Sequence, residues 1–428
     1  MKIKKFIIFL LLFSSPAFTQ IENIEIVNQS PLDLKKPHNN CDFQICNSLK
    51  NLIDNAKSSI DFAIYGLRGQ DEILNALIYA QDRGVKIRGI VDKDIHNKNY
   101  YSDTYKLYEN LNNIVDDFQY DLETKSKLKD KNYSNNKCKR PKGTEGPLQC
   151  YDGIGFASKE DIHFIGDIMH NKFFIIDNEI IWTGSANISD TGTGGYNANS
   201  VVIIDSKNIS EIFKSEFEQL YRGYFHRSKK IFKKEKLLFS NNDTQIEIFF
   251  SPQGYTMYRG VIPLIQNAKE YIYLSIFFLT DKDVTTALKD AHLRGVDLKI
   301  IVDSTGATNG YSKHKYLRKK GVKLKVENWG GKMHMKSAVI DDQYIIHGSM
   351  NWTAAGATKN DENTLIIKNS DLALKQKSFF NSLWNSIEDQ WLIDDPMPES
   401  IQSYNSCFDE IDNDFDNIID MYETECLN

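Results

Sequence analysis

Two stretches of the chain repeat one pattern, His-x-Lys-x4-Asp-x6-Gly-Ser-x-Asn. The first copy is His170, Lys172, Asp177, Gly184, Ser185 and Asn187; the second is His334, Lys336, Asp341, Gly348, Ser349 and Asn351. Every member lies 164 residues from its counterpart (334 − 170), a register that assigns both segments one backbone. An imidazole gains or loses a proton near neutrality, lysine brings positive charge, and hydroxyl and amide groups donate hydrogen bonds. Together a neutralisable imidazole, a fixed cation and small neutral donors are what chemistry on a phosphate needs. One His-x-Lys pair is an ordinary feature of a surface strand. Two copies with the same Gly-Ser-x-Asn trailer are a specific signal.

The elements that must position these residues also repeat. In a strand, side chains alternate faces, so His170 and Lys172 share a face while Asp177 has the opposite parity; His334, Lys336 and Asp341 behave alike. Each His and Lys can face one phosphate, and each Asp is expected to serve the turn that follows. Asp177-Asn178 and Asp341-Asp342 are turn formers, and the returning strand brings Gly184-Ser185 and Gly348-Ser349 beside the hairpin's start. There Gly is expected to admit an anion close to the backbone, with Ser185, Asn187, Ser349 and Asn351 as neutral donors to phosphate.

Upstream, Ala80 to Asp92 and Ala291 to Asp303 share an Arg-Gly-Val turn that runs into an apolar strand, and strands at Ser59–Tyr65 and Tyr271–Phe278 precede them. A repeated strand–helix–strand order predicts an α/β fold built from a duplicated mixed β-sheet flanked by helices. The offset here is 211 (291 − 80) rather than 164, so the first half carries about 47 extra residues, expected as an insertion at about 93–165. It contains a basic run, Lys125, Lys127, Lys129, Lys131, Lys137, Lys139, Arg140 and Lys142. The run reads as a solvated loop, or as a flap facing an anionic polymer or an anionic membrane surface. The halves are expected at 20–235 and 236–392, the second closed by an amphipathic segment at Ala373–Trp391, with a linker at 393–406 and a tail at 407–428.

The duplicated motif resembles that of the phospholipase D superfamily, in its secreted bacterial type, over roughly Ser58 to Glu388. The resemblance implies a pseudo-dimer within one chain, needing no obligate homodimer, in which the two motifs meet at one site. It also implies that one histidine attacks phosphorus while the other protonates the leaving oxygen, with no metal or other cofactor in catalysis. Following the family's commoner order, His170 is the expected nucleophile and His334 the acid. Glu362, 28 residues after His334 (362 − 334), stands where the family places a carboxylate that orients that histidine. The same count from His170 reaches Ala198, so His170 is expected to lack this partner unless Asp190 or another carboxylate substitutes.

Lys2, Lys4 and Lys5, the apolar run Phe6–Phe13 and the small residues up to Thr19 read as a signal peptide over 1–19, placing the protein outside the cytoplasm, secreted or periplasmic. The six cysteines suit that compartment, and the local pairing 41–46, 138–150 and 407–426 is expected. Net charge is −6, or −9 without the three signal lysines, which argues mildly against a general nucleic-acid binder. In the tail, Asp412, Asp414, Asp416, Asp420 and Glu423 match positions 1, 3, 5, 9 and 12 of a calcium loop, with Asn417 in place of the usual Gly. The segment resembles calcium-binding Asp-rich repeats of secreted bacterial proteins, and calcium is expected there as a structural ion.

The expected function is a secreted phosphodiesterase that hydrolyses phospholipid head groups, with transphosphatidylation when an alcohol replaces water. A secreted endonuclease acting on DNA or RNA is the alternative. A calcium-dependent binding protein on an inactive scaffold is a third reading, opposed by two intact His-Lys pairs.

Overall fold

The computed structural model describes residues 23–32, 34–129, 148–151, 154–157, 166–230, 236–238 and 244–427, with backbone only at 127–129, 148–151, 154–157 and 236–238. The expected signal peptide, Cys138 and most of the basic run lie outside the described residues.

Alternating apolar runs and glycine turns build two large sheets. The strands of the first half are β1 (Asn23–Gln29), β2 (Ser59–Ile64), β3 (Lys86–Val91), β4 (Ile114–Asp116), β5 (Phe173–Ile176), β6 (Ile180–Gly184) and β7 (Asn199–Asp205). Those of the second are β8 (Gln245–Ser251), β9 (Tyr271–Ile276), β10 (Asp297–Val302), β11 (Lys323–Val326), β12 (Lys336–Ile340), β13 (Tyr344–Gly348) and β14 (Glu362–Lys368). The first sheet runs β1-β7-β6-β5-β2-β3-β4. The second repeats that order as β8-β14-β13-β12-β9-β10-β11, with Lys236–Leu238 added beside β8. In both, β2–β3–β4 and β9–β10–β11 are parallel while the motif hairpins pair antiparallel.

Helices α1 (Gln44–Asn55) and α2 (Asp71–Asp82) bury Leu49, Ile53, Leu74 and Leu77 against one face of the first sheet. Helix α4 (Lys282–Leu293) buries Val284 and Leu288 in a second-half core with Ile300 and Leu324. Helices α3 (Lys207–Tyr221) and α5 (Ser370–Ser386) share one central core with both sheets, where Phe213, Phe217, Phe380 and Leu383 meet Phe173, Val202, Val339 and Leu365. Each such side chain contributes about 1.5–3 kcal/mol through burial, so the core that joins the halves is continuous with the cores that fold them. Ser206 and Asn369 cap α3 and α5 by accepting from Ile209 and Leu372 N–H, which fixes where both helices start.

Three expectations are corrected. The extra residues of the first half begin after Asp117 rather than at residue 93, because Ile114–Asp116 is the first sheet's own edge strand, matching Lys323–Val326. The closing helix is Ser370–Ser386. The segment 393–406 is packed rather than a free linker: Glu399, Ser400 and Ser403 are buried, and Tyr404 exchanges backbone hydrogen bonds with Asn328 and Gly330. Disulfides join Cys41 to Cys46 and Cys407 to Cys426, as expected; the third expected bridge falls outside the described residues.

Candidate active site

Each motif histidine stands just ahead of a hairpin strand, at the seam between the halves. His170 N–H donates to Asp361 O and His334 N–H to Ala198 O, so each motif enters its sheet held by the opposite half. Asp92 and Asp303, at the ends of β3 and β10, accept the N–H groups of Met169 and Met333 and fix the residue before each histidine. Burial pushes both carboxyls above the usual range.

The side chains cross the seam too. His170 Nδ1 lies 2.9 Å from both carboxylate oxygens of Glu362, a second-half residue. His334 Nδ1 donates to Ser185 O at 3.0 Å and to Asn199 Oδ1 at 3.2 Å, both from the first half. Glu362 therefore serves His170, and the expectation that it orients His334 is corrected. The expected vacancy at Ala198 is a register effect: Ser185 Oγ donates to Asn199 as Ser349 Oγ donates to Glu362, making Asn199 the counterpart of Glu362 at an offset of 163 (362 − 199). Asp190, the other candidate, instead pairs with Arg68. With Nδ1 engaged on both rings, Nε2 is the nitrogen without a hydrogen-bond partner among the described residues.

Lys172 Nζ and Lys336 Nζ donate to the carbonyls of His170 and His334 and lie over the rings of Tyr65 and Phe277. Those rings also pack against His170 and His334, with centroids at 5.3 Å and 5.0 Å. Burial and then the neighbouring cations hold both imidazoles well below their ordinary value. Lys172 is pushed down to about 7 by burial, and Lys336 well down by burial and by Lys172. Glu362 is pushed up to about 8 by burial, against the pull of Lys172. A buried site of this kind sheds charge when empty and takes up protons as an anion arrives.

The remaining motif residues do other work. Asp177 and Asp341 are not at the reacting centre, which corrects their place among the catalytic candidates. Asp177 accepts the N–H groups of Lys57, Ser58 and Ser59, and Asp341 those of Lys269, Glu270 and Tyr271, at the far end of each hairpin. Their own φ angles of 54° and 53° belong to the tight turn. Ser185 and Ser349 are spent on Asn199 and Glu362 rather than on phosphate. A Cβ at Gly184 or Gly348 would come within 2.3 Å of Ser200 O or Asn363 O, so those glycines admit the neighbouring strand rather than an anion.

Asn187 Nδ2 meets Tyr101 Oη at 2.9 Å, and its buried Oδ1, like that of Asn351, has no partner among the described residues. Exchanging the Asn187 amide atoms lets Tyr101 donate to Oδ1 and leaves Nδ2 as an unspent buried donor. Sequence reasoning missed Asn199, Tyr65 and the aromatic stack of Tyr65 on Tyr100, a residue 59% exposed beside the site. Asp92 and Asp303 carried a signal, since both close the repeated Arg-Gly-Val strands. Tyr100 and Tyr101 carried none, because they lie outside both repeated segments.

A protein-family model described as "Cardiolipin synthase, PLD-like domain" matches residues 49–221 and 261–384. A curated "Phospholipase D" of Rickettsia bellii is 34% identical over 125 residues, 29% of this chain and 61% of that protein. A "Mitochondrial cardiolipin hydrolase" of Chlamydomonas reinhardtii is 28% identical over 119 residues, 28% of this chain and 53% of that protein. The chain thus spans less than two thirds of the length of these relatives. Among solved structures, phosphatidylserine synthase of Haemophilus influenzae shares the fold at a TM-score of 0.57 and 14% identity, over 86% of this chain and 88% of that one.

Proposed function

The chain belongs to the phospholipase D-like family, and from that premise we propose that it is a phosphodiesterase with His170 as nucleophile and His334 as acid. The observation that carries this is the exchange of ring partners across the seam: a carboxylate on His170 Nδ1, neutral acceptors on His334 Nδ1. A carboxylate orients the ring and stabilises the positive charge that grows on it as Nε2 bonds to phosphorus. A ring held only by neutral oxygens stays weakly basic, which makes its protonated form a ready proton donor.

In the first step His170 Nε2 forms a bond to phosphorus, the ester P–O bond breaks, and His334 gives its proton to the leaving oxygen. In the second, His334 takes a proton from water, whose oxygen attacks phosphorus and breaks the P–N bond. An alcohol in place of water gives transphosphatidylation. Acid catalysis alone supplies about 10²–10⁴-fold. The rest comes from covalent catalysis and from Lys172 and Lys336 around the developing charge.

The substrate we propose is a phospholipid, cleaved at its head group by a protein acting outside the cytoplasm, a membrane surface meeting the basic run. The named activities of the curated relatives support this reading. A second reading, a secreted endonuclease, is favoured by Tyr100, an exposed ring stacked on Tyr65 beside His170, since such a surface stacks a nucleobase. The two separate when the purified protein is given vesicles of phosphatidylcholine, phosphatidylethanolamine or cardiolipin, or single- and double-stranded DNA or RNA, each with and without EDTA. Release of choline or ethanolamine, or loss of cardiolipin, is expected. Cleaved nucleic acid with intact lipid transfers the site to the second reading, and inactivity toward every substrate removes both.

A further inference from the structure

The Asp-rich tail remains outside the function described so far, and it packs against the approach to His334. Asn413 O accepts from Lys332 Nζ at 2.8 Å and from Thr305 Oγ1 at 2.7 Å, and Lys332 Nζ sits 4.5 Å from the centre of the Phe415 ring. Lys332 O in turn accepts from the N–H groups of Ala198 and His334. Tyr196 of the first half donates to Asp409. The tail therefore touches both halves at the seam.

Carboxylate oxygens of Glu399, Asp412 and Asp414 come within 4.8 Å of one another. A separate observation points the same way. Glu423, position 12 of the loop pattern, is only 6% exposed, and its Oε1 is buried with no hydrogen-bond partner among the described residues. An unpaired buried carboxylate is costly unless a cation compensates it. The expectation for Asp420 is corrected here: its oxygens accept the N–H groups of Asp409 and Glu410, so it is turned away from the loop. Glu399, from outside the loop, occupies the cluster instead.

We infer that Glu399, Asp412, Asp414, Asp416 and Glu423 bind a calcium ion, and that the ion holds Asn413 in place to brace residues 328–333 ahead of His334. Hard oxygen donors in a flexible loop suit Ca²⁺; the nearby cysteines are bonded to each other, and no histidine belongs to the cluster. The other grouping, Asp117, Asp121 and His226, is a poor competitor. Both ring nitrogens of His226 face carboxylates, of Asp117 and Asp361, so the ring has no free lone pair to offer when charged.

The test uses the whole protein, stripped with EGTA and desalted, and reads binding rather than turnover, so it stands or falls apart from the proposed activity. Isothermal titration with CaCl2 is expected to show one site with Kd of about 10⁻⁴–10⁻³ M, the range of extracellular calcium modules, and calcium should raise Tm. Glu423→Gln is expected to weaken binding at least ~10-fold, on the order of one lost charged ligand, and the double variant Asp412→Asn/Asp414→Asn to abolish it. Calcium should slow hydrogen exchange at 328–333 in the parent protein and leave it unchanged in the double variant. No heat and no Tm change in the parent, or undiminished binding in both variants, overturns the site. Binding that leaves exchange at 328–333 unaltered overturns the brace.

Discussion

The two halves share a sheet order, a hairpin and a His-Lys pair, yet they differ at the position whose side chain reaches the opposite imidazole. The second half offers Glu362 to His170; the first half offers Asn199 to His334. Ser349 and Ser185 hold these two groups in the same way, so the scaffold is symmetric and the charge is not. The lesson is that a duplicated fold can present two like rings and still give them different chemistry by setting a carboxylate against one ring and a carboxamide against the other. A second asymmetry lies at the equivalent positions Thr183 and His347. Thr183 donates across the seam to Asn363, whereas His347 Nε2 meets Ser200 Oγ across it, with Nδ1 buried and unpartnered among the described residues.

The comparison breaks most visibly at Glu362. Glu362→Gln should lower kcat by about 10²–10⁴-fold, the scale on which an orienting carboxylate and acid–base help act, while Asn199→Asp should cost no more than ~10-fold, the low end for an outlying orienting partner. Equal losses in the two variants, measured as kcat on one phosphodiester, would mean that the rings have equivalent roles.

His347 gives a pH-dependent difference. Burial pushes its imidazole down to about 4, against about 6.5 in the unfolded chain. The native ring is neutral where the unfolded ring takes a proton, so its contribution is present above pH ~6.5 and is lost as pH falls toward 4. Urea unfolding at pH 7 and pH 4.5 should show His347→Gln losing about 2–3 kcal/mol less than the parent over that interval. An unchanged difference would place the ring's protonation elsewhere.

The smallest effects test where the halves agree. Asp177→Asn and Asp341→Asn each weaken a set of three backbone N–H bonds, and each should cost about 1–3 kcal/mol of stability with kcat retained. A large loss of kcat at unchanged stability would return these residues to the reacting centre.

Much of this was legible in the residues. The 164-residue register located both hairpins, and the repeated Arg-Gly-Val strands located the parallel edges of both sheets. What misled was counting onward from the motif. Between Asn187 and Asn199 the first half has one residue more than the second has between Asn351 and Glu362, so the offset changes from 164 to 163, as the caps Ser206 and Asn369 also show. A count of 28 from His170 therefore landed on Ala198, one short of Asn199. Nor does sequence spacing show that a carboxylate serves the ring of the other half, because that depends on how two faces meet. The donors at Ser185 and Ser349 were misassigned for the same reason: which polar group a serine reaches is decided by the neighbouring strand.

The central claim is that His170 carries the phosphoryl group and His334 carries the proton. It is tested by mixing His334→Ala with bis(p-nitrophenyl) phosphate, whose leaving group needs little protonation, quenching in alkali and mapping the modified peptide by mass spectrometry. A burst of one p-nitrophenol per protein with the label on His170 is the expected result. A label on His334 in the parent protein, or unimpaired turnover by His170→Ala, would contradict it.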